Sequence, residues 1–142
     1  MTVLLFPRAA RGGVWVPGSA TGTRELGPLD PTQLAGEVHG LCLAGGSAFG
    51  LGAADGVMAV LAARGIGFDH GRGVVPIVPA AVLFDLHGSA GPPTAEAGRA
   101  AAASASTGPL AEGRVGAGAG ATVGKATGNP APGGKRSHSS LS

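Results

Sequence analysis

Three strand-like apolar runs, two helical stretches and the length of a single domain predict a mixed α+β fold. The runs are Thr2–Phe6, Val38–Ala44 and Val74–Leu86, and the helical stretches are Ala48–Arg64 and Thr94–Ser106. At 142 residues the chain suits one domain with one hydrophobic core. The 28 Gly and 11 Pro alone would suggest low complexity, but a hydrophobic share of 44% held in runs between Gly-rich turns points to close backbone packing.

Thr2–Phe6 reads as a strand that starts beside the initiator Met, without a lead-in. Pro7 and Gly12-Gly13 turn the chain into a second strand around Val14-Trp15-Val16. After a polar loop, Asp30-Pro31 has the N-cap and first-position proline of a short helix to about Gly36. Val38–Ala44 is apolar almost throughout, as in a buried strand. Ser47 caps the helix that follows Gly45-Gly46, in which Phe49, Ala53, Val57, Val60 and Leu61 recur near the helical period. Gly50, Gly52 and Gly56 each cost about 1 kcal/mol against Ala inside a helix, so a close neighbour is expected, above all at Gly52 and Gly56. Pro76 and Pro79 interrupt the next run, which therefore reads as an edge or looped-out strand. Thr94 caps the Ala-rich helix, with Gly98 as its weak point. Gly113–Gly124 presents a bare backbone, and a polar tail from Asn129 is expected to be disordered.

Charge narrows the partners. All 8 acidic residues and 8 of the 10 Lys/Arg lie within residues 1–134, so that part sums to zero and Lys135 and Arg136 supply the net charge of +2. With 4% aromatics and no Tyr there is no basic, stacking surface for nucleic acid. Single Cys42 excludes an internal disulfide, no apolar run is long enough to span a membrane, and Met1–Phe6 lacks the layout of a signal peptide, which predicts a cytoplasmic protein.

Nucleotide motifs fail in detail. Gly124-Lys125 precedes Ala126 where a phosphate loop needs Ser or Thr, and Gly116-x-Gly118 lacks the third glycine of a dinucleotide fingerprint. His39, His70, His87 and His138 are scattered without ligand spacing, so no metal and no cofactor are expected; a buried, inert Cys42 fits the same picture. The turn at Gly45-Gly46-Ser47 offers two readings: a capped tight turn, or unpaired backbone donors that hold an anion or oxyanion. Ser47 is no nucleophile elbow, because Phe49 stands where that pattern needs Gly. Asp85, at the end of an apolar run, needs a partner: it caps a turn or faces a site. Arg24 and Glu25 read as solvated loop charges.

Several blocks occur together and in order: Gly22-Thr23-Arg24-Glu25, Leu29-Asp30-Pro31, Leu43-Ala44-Gly45-Gly46-Ser47-Ala48-Phe49-Gly50-Leu51, Gly56-Val57-Met58, Val75-Pro76-Ile77-Val78-Pro79-Ala80-Ala81-Val82-Leu83-Phe84-Asp85 and Gly116-Ala117-Gly118-Ala119-Gly120-Ala121. Over about Thr2 to Gly134 they resemble the DmpA-like aminopeptidases, the L-aminopeptidase/D-esterase and β-peptidyl aminopeptidase group. The resemblance implies an α/β/β/α sandwich of the type shared with ornithine acetyltransferases. It also implies a hydrolase whose precursor cuts itself before an internal Ser or Thr. The freed hydroxyl attacks peptides, aminoacyl amides or esters, its own α-amine takes the proton, and such members assemble as homo-oligomers. On this basis Gly45, Gly46, Ser47, Asp85, Arg114 and Gly116 are candidates for the substrate and oxyanion wall, with Gly45 and Gly46 leaving room for the substrate backbone.

The chain departs from that pattern. No self-cleavage junction or nucleophile follows the Gly-rich segment, so residues 1–134 read as the N-terminal part of the peptidase domain and 135–142 as a disordered or aberrant tail, as a shifted reading frame would produce. Arg114 stands where many members have Asn, a plausible oxyanion amide; an arginine could also donate there. Three expectations result: an N-terminal segment that is inactive by itself, a small-molecule or anion-binding α/β module using the Gly45–Gly50 turn, or a structural partner of a separately encoded nucleophile segment.

Overall fold

The computed structural model describes residues 1–86, 91–125, 128 and 131–132. Along the chain the strands are β1 (Thr2–Arg11), β2 (Thr23–Arg24), β3 (Glu37–Ala44), β4 (Phe68–Asp69), β5 (Val74–Val75), β6 (Ala80–Val82), β7 (Thr122–Val123) and β8 (Ala131–Pro132), and the helices are α1 (Ala53–Ala63) and α2 (Ala95–Ala103). The main sheet has the order β1-β3-β6-β2, with β3 and β6 parallel and the outer pairs antiparallel. β4–β5 and β7–β8 are small separate hairpins. The fold is mixed α+β, as the apolar runs and helical stretches predict.

β3 pairs on both sides, which explains its near-continuous apolar sequence. Val3 lies opposite Cys42 and Leu5 opposite Gly40, and this face of the sheet is covered by the helices. Cys42, Ala53, Ala54, Val57, Leu61, Val78, Ala80 and Ala102 form the core between them. The other face carries Leu4 opposite Leu41, and Leu4 and Leu43 are 37% and 41% exposed. A smaller cluster of Leu29, Val38 and Ile77, with Phe6, Ala10 and Phe68 against it, closes the opposite end of β3.

Glycine sets the distance between the helices. A Cβ on Gly56 would strike the Ala95 carbonyl, and one on Gly98 the Ala53 carbonyl. Gly56 thus has the expected close neighbour, and Gly98 is a contact point where a weak point is expected. Among the described residues nothing lies within 4 Å of the Gly52 Cβ position, so close packing with them does not explain it.

Other local expectations change with tertiary context. Pro7 does not end β1: the strand continues to Arg11 through a register shift between Leu5 and Ala10, which an edge strand accommodates. Val14–Val16 forms no strand, and Trp15 is 84% exposed. Asp30 starts no helix. It follows the 3-10 turn Gly27–Leu29, and its carboxylate accepts from the Thr32 amide at 2.8 Å and the Thr32 hydroxyl at 2.6 Å, closing a local side-chain turn. Pro76 and Pro79 do lie outside the assigned strands, but β6 beyond them is internal to the sheet. Their segment joins β3 through carbonyls, which proline leaves intact: the His39 amide donates to Ile77 O at 2.9 Å and the Cys42 amide to Pro79 O at 3.0 Å. Thr94 caps α2, accepting from the Ala97 amide at 3.4 Å. Most of the expected polar tail lies outside the described residues.

Candidate functional site

The parallel strands β3 and β6 end side by side, and the turn after β3 is built onto the chain leaving β6. The Leu83 amide donates to Ala44 O and the Ser47 amide to Leu83 O, both at 2.9 Å. The Gly46 amide donates to the Asp85 carboxylate across 39 residues of sequence. To make these bonds the turn takes left-handed backbone at Gly46, with φ +81°, and at Ser47, with φ +53°. The second is uncommon for a residue with a side chain. Asp85 therefore does cap a turn, and it is the turn of interest.

This geometry changes the role of the turn. Ser47 caps nothing with its side chain; residues Ser47–Gly52 form a 3-10 turn, and α1 starts only at Ala53. The Gly46 and Ser47 amides are already bonded, and one partner is a carboxylate, so the turn is no ready anion site. Nor is the space above the glycines open. A Cβ on Gly45 would meet the Asp85 carboxylate, and one on Gly46 would lie 2.6 Å from Pro92. These glycines are required by the chain's own packing.

The Gly-rich segment after α2 returns to the same place. Gly116, at φ +56°, leaves no room for a Cβ beside the Thr2 hydroxyl, which accepts from the Ala117 amide at 3.0 Å. Gly120 faces the free side of Asp85: its Cβ position is 3.2 Å from Oδ2. Between this segment and the ends of β3 and β6 lies a cleft of about 500 Å³. Gly45, Gly46, Asp85, Arg114 and Gly116 line it, together with Met1, Gly91, Pro93 and Gly120. Ser47 does not. Its position in a depression beyond the carboxyl ends of parallel strands is the usual location of ligand sites in such sheets. Gly91 and Pro93 were not legible as lining residues, because nothing in their local sequence ties the segment before α2 to the turn after β3.

Arg24 is no solvated loop charge. Its guanidinium pairs with Asp55 at 2.7 Å and donates to Leu51 O and to Met58 Sδ, each at 3.3 Å, tying β2 to the turn and to α1. His39 is buried, and its Nδ1 accepts from the Ile77 amide at 3.1 Å. Burial holds its pKa below the usual 6.5, against an opposing pull from Glu37. Burial also pushes the Cys42 thiol up, opposed by the N-terminal ammonium and Arg24, which suits an inert core residue. Among the described residues no three His, Cys, Asp or Glu gather as metal ligands, and no helix is long and apolar enough to cross a membrane.

Residues 1–129 match peptidase family S58. The chain belongs to this family. It is 48% identical over 126 residues to an uncharacterized aminopeptidase of Mycobacterium tuberculosis, a match that covers 87% of this chain and 36% of the relative. A second uncharacterized aminopeptidase, from Mycobacterium leprae, is 45% identical over 135 residues, covering 87% and 37%. A 6-aminohexanoate-oligomer endohydrolase of Agromyces sp. is 36% identical over 126 residues, covering 87% and 33%. This S58 chain spans about a third of the length of these relatives.

Proposed function

We propose that these residues form the substrate-facing part of a DmpA-like aminopeptidase, a self-processing hydrolase of N-terminal aminoacyl amides, peptides or esters. The nucleophile is the freed N-terminal Ser or Thr of a further segment, and the 142 residues alone are inactive. One observation carries the reading: the cleft gathers the Gly45-Gly46 turn, Asp85, Arg114 and the bare Gly116–Gly120 backbone from sequence-distant places, around a volume suited to a small acyl group. The nucleophile hydroxyl attacks the substrate carbonyl from the open side of this cleft, its α-amine takes the proton, and Arg114 stabilises the oxyanion. The exposed sheet face with Leu4 and Leu43 is covered by a second sheet from that further segment, which completes an α/β/β/α sandwich. The reading carries with it a cytoplasmic enzyme that assembles as a homo-oligomer.

The test joins residues 1–129 to the segment that follows the matched region in the Mycobacterium tuberculosis relative. The extended chain is expected to cut itself before a Ser or Thr and then to release p-nitroaniline from L-alanine p-nitroanilide, while the 142-residue chain does neither. Turnover by the 142-residue chain alone contradicts the proposal.

A further inference from the structure

Arg24 does not line the cleft, yet it holds both chain segments that lead into it. β2 carries it on β6: Arg24 lies opposite Ala80, and the Val82 amide, shortly before Asp85, donates to Gly22 O at 3.0 Å. Its half-buried guanidinium then spans to the chain that leaves β3, donating to Leu51 O and Met58 Sδ and pairing with exposed Asp55. That part of the chain bears directly on the cleft wall. A Cβ on Gly50 would strike the Gly45 carbonyl, so the 3-10 turn lies backbone to backbone against the first residue of the Gly45-Gly46 turn. Backbone strain marks both ends of this tie. Among the described residues two that are not glycine take left-handed backbone: Glu25, next to Arg24, with φ +58°, and Ser47, at the start of the 3-10 turn, with φ +53°. Such conformations are unfavourable and persist only where the surroundings fix them.

We infer that Arg24 is a positioning residue for the reaction: its forked guanidinium fixes the turn after β3 against the chain leaving β6, and so sets the Gly45-Gly46 wall relative to Asp85. The inference rests on the cleft being the substrate site. One planar group donates in two directions, Nη1 to the Leu51 carbonyl and Nη2 to Asp55. A lysine ammonium carries the same charge without that fork. The ion pair contributes little by itself, because Asp55 is exposed and solvent screens it. Its use is to orient the guanidinium so that Nη1 meets Leu51 O.

Amide hydrogen exchange of the isotope-labelled 142-residue chain, followed by NMR, reports this tie without any turnover. The Gly46 and Ser47 amides, bonded to Asp85 and to Leu83 O, report the turn, and the His39 and Cys42 amides, bonded to Ile77 O and Pro79 O, report the core. In Arg24→Met, which keeps the apolar stem, exchange at Gly46 and Ser47 should rise at least about tenfold against that at His39 and Cys42, the scale of a hydrogen bond to a charged group. Arg24→Lys should loosen the turn in the same way. A merely structural role would speed all these amides together. Should Arg24→Met not fold, Asp55→Asn, at an exposed position, carries the same comparison, with an expected rise of about two- to fivefold, the scale of an exposed ion pair. In the extended, self-cleaved enzyme Arg24→Met should lower kcat at least about tenfold and leave KM within about threefold, because substrate still enters a cleft whose wall is displaced. Equal acceleration of all these amides, no acceleration at the turn, or full protection in Arg24→Lys overturns the inference and leaves the cleft reading standing. A loosened turn with unchanged kcat overturns both.

Discussion

Asp85 and His39 show how a single polar residue ties together distant parts of this chain. Asp85 could be read from the sequence as needing a partner, because a carboxylate beside Leu83-Phe84 is costly alone; the partner, 39 residues away, could not, since only the sheet brings the two together. Arg24 was misleading for the same reason: a polar local sequence gave no sign of Asp55 and Leu51. His39 carries a pH prediction. Its neutral Nδ1 accepts from Ile77, and burial lowers its folded-state pKa below 6.5. As pH falls through about 6.5 the unfolded chain takes the proton first, so its contribution to stability is present above that pH and is lost below it. Urea melts between pH 7.5 and 5 should show this loss, and His39→Gln, which keeps an acceptor but not the titration, should flatten it. An unchanged slope in the variant would remove His39 as the cause.

At the scale of elements, periodicity and caps were legible where contacts are local and misleading where they are not. β3 and α2 follow from an apolar run and a threonine cap, whereas Asp30-Pro31 imitates a helix start that a two-residue side-chain turn satisfies instead. The prolines at 76 and 79 lie outside the strands, as their missing donors require, but the Ile77 and Pro79 carbonyls accept from β3 and keep the neighbouring β6 inside the sheet. The helix glycines separate two effects. Gly56→Ala and Gly98→Ala place a methyl against opposing backbone and should each cost about 1–3 kcal/mol, despite the better helix propensity of alanine. Gly52→Ala meets nothing, at a φ of −60°, and should stabilise by about 0.4–1 kcal/mol. Chemical denaturation of the three variants checks the signs, and a stabilising Gly56→Ala would mean that the helices are not in the stated contact.

For the whole molecule, the cleft is made by three segments whose local sequence points to a site and by two, Met1 and the segment of Gly91 and Pro93, whose local sequence does not. What joined them was topology: β3 and β6 end together, and the Gly-rich segment folds back over Thr2. Among the described residues nothing pairs with the outer edge of β1, and Leu4 and Leu43 are 37% and 41% exposed on one sheet face, so the chain by itself should bind a hydrophobic dye and self-associate. Light scattering should report species larger than a monomer. A monodisperse, cooperatively melting monomer with no dye binding would contradict the uncovered face. The central claim is that the cleft of Asp85, Arg114 and the glycine backbone is the wall against which substrate is held. Gly91 lines that cleft, and among the described residues nothing lies within 4 Å of its Cβ position, so a side chain there adds bulk toward the cleft. The most direct measurement is kcat/KM of the extended, self-cleaved enzyme carrying Gly91→Trp. The account predicts a fall of at least about tenfold, the loss expected when reacting groups are displaced from their geometry, with the melting temperature unchanged. An unchanged kcat/KM in that folded variant would move the active site elsewhere.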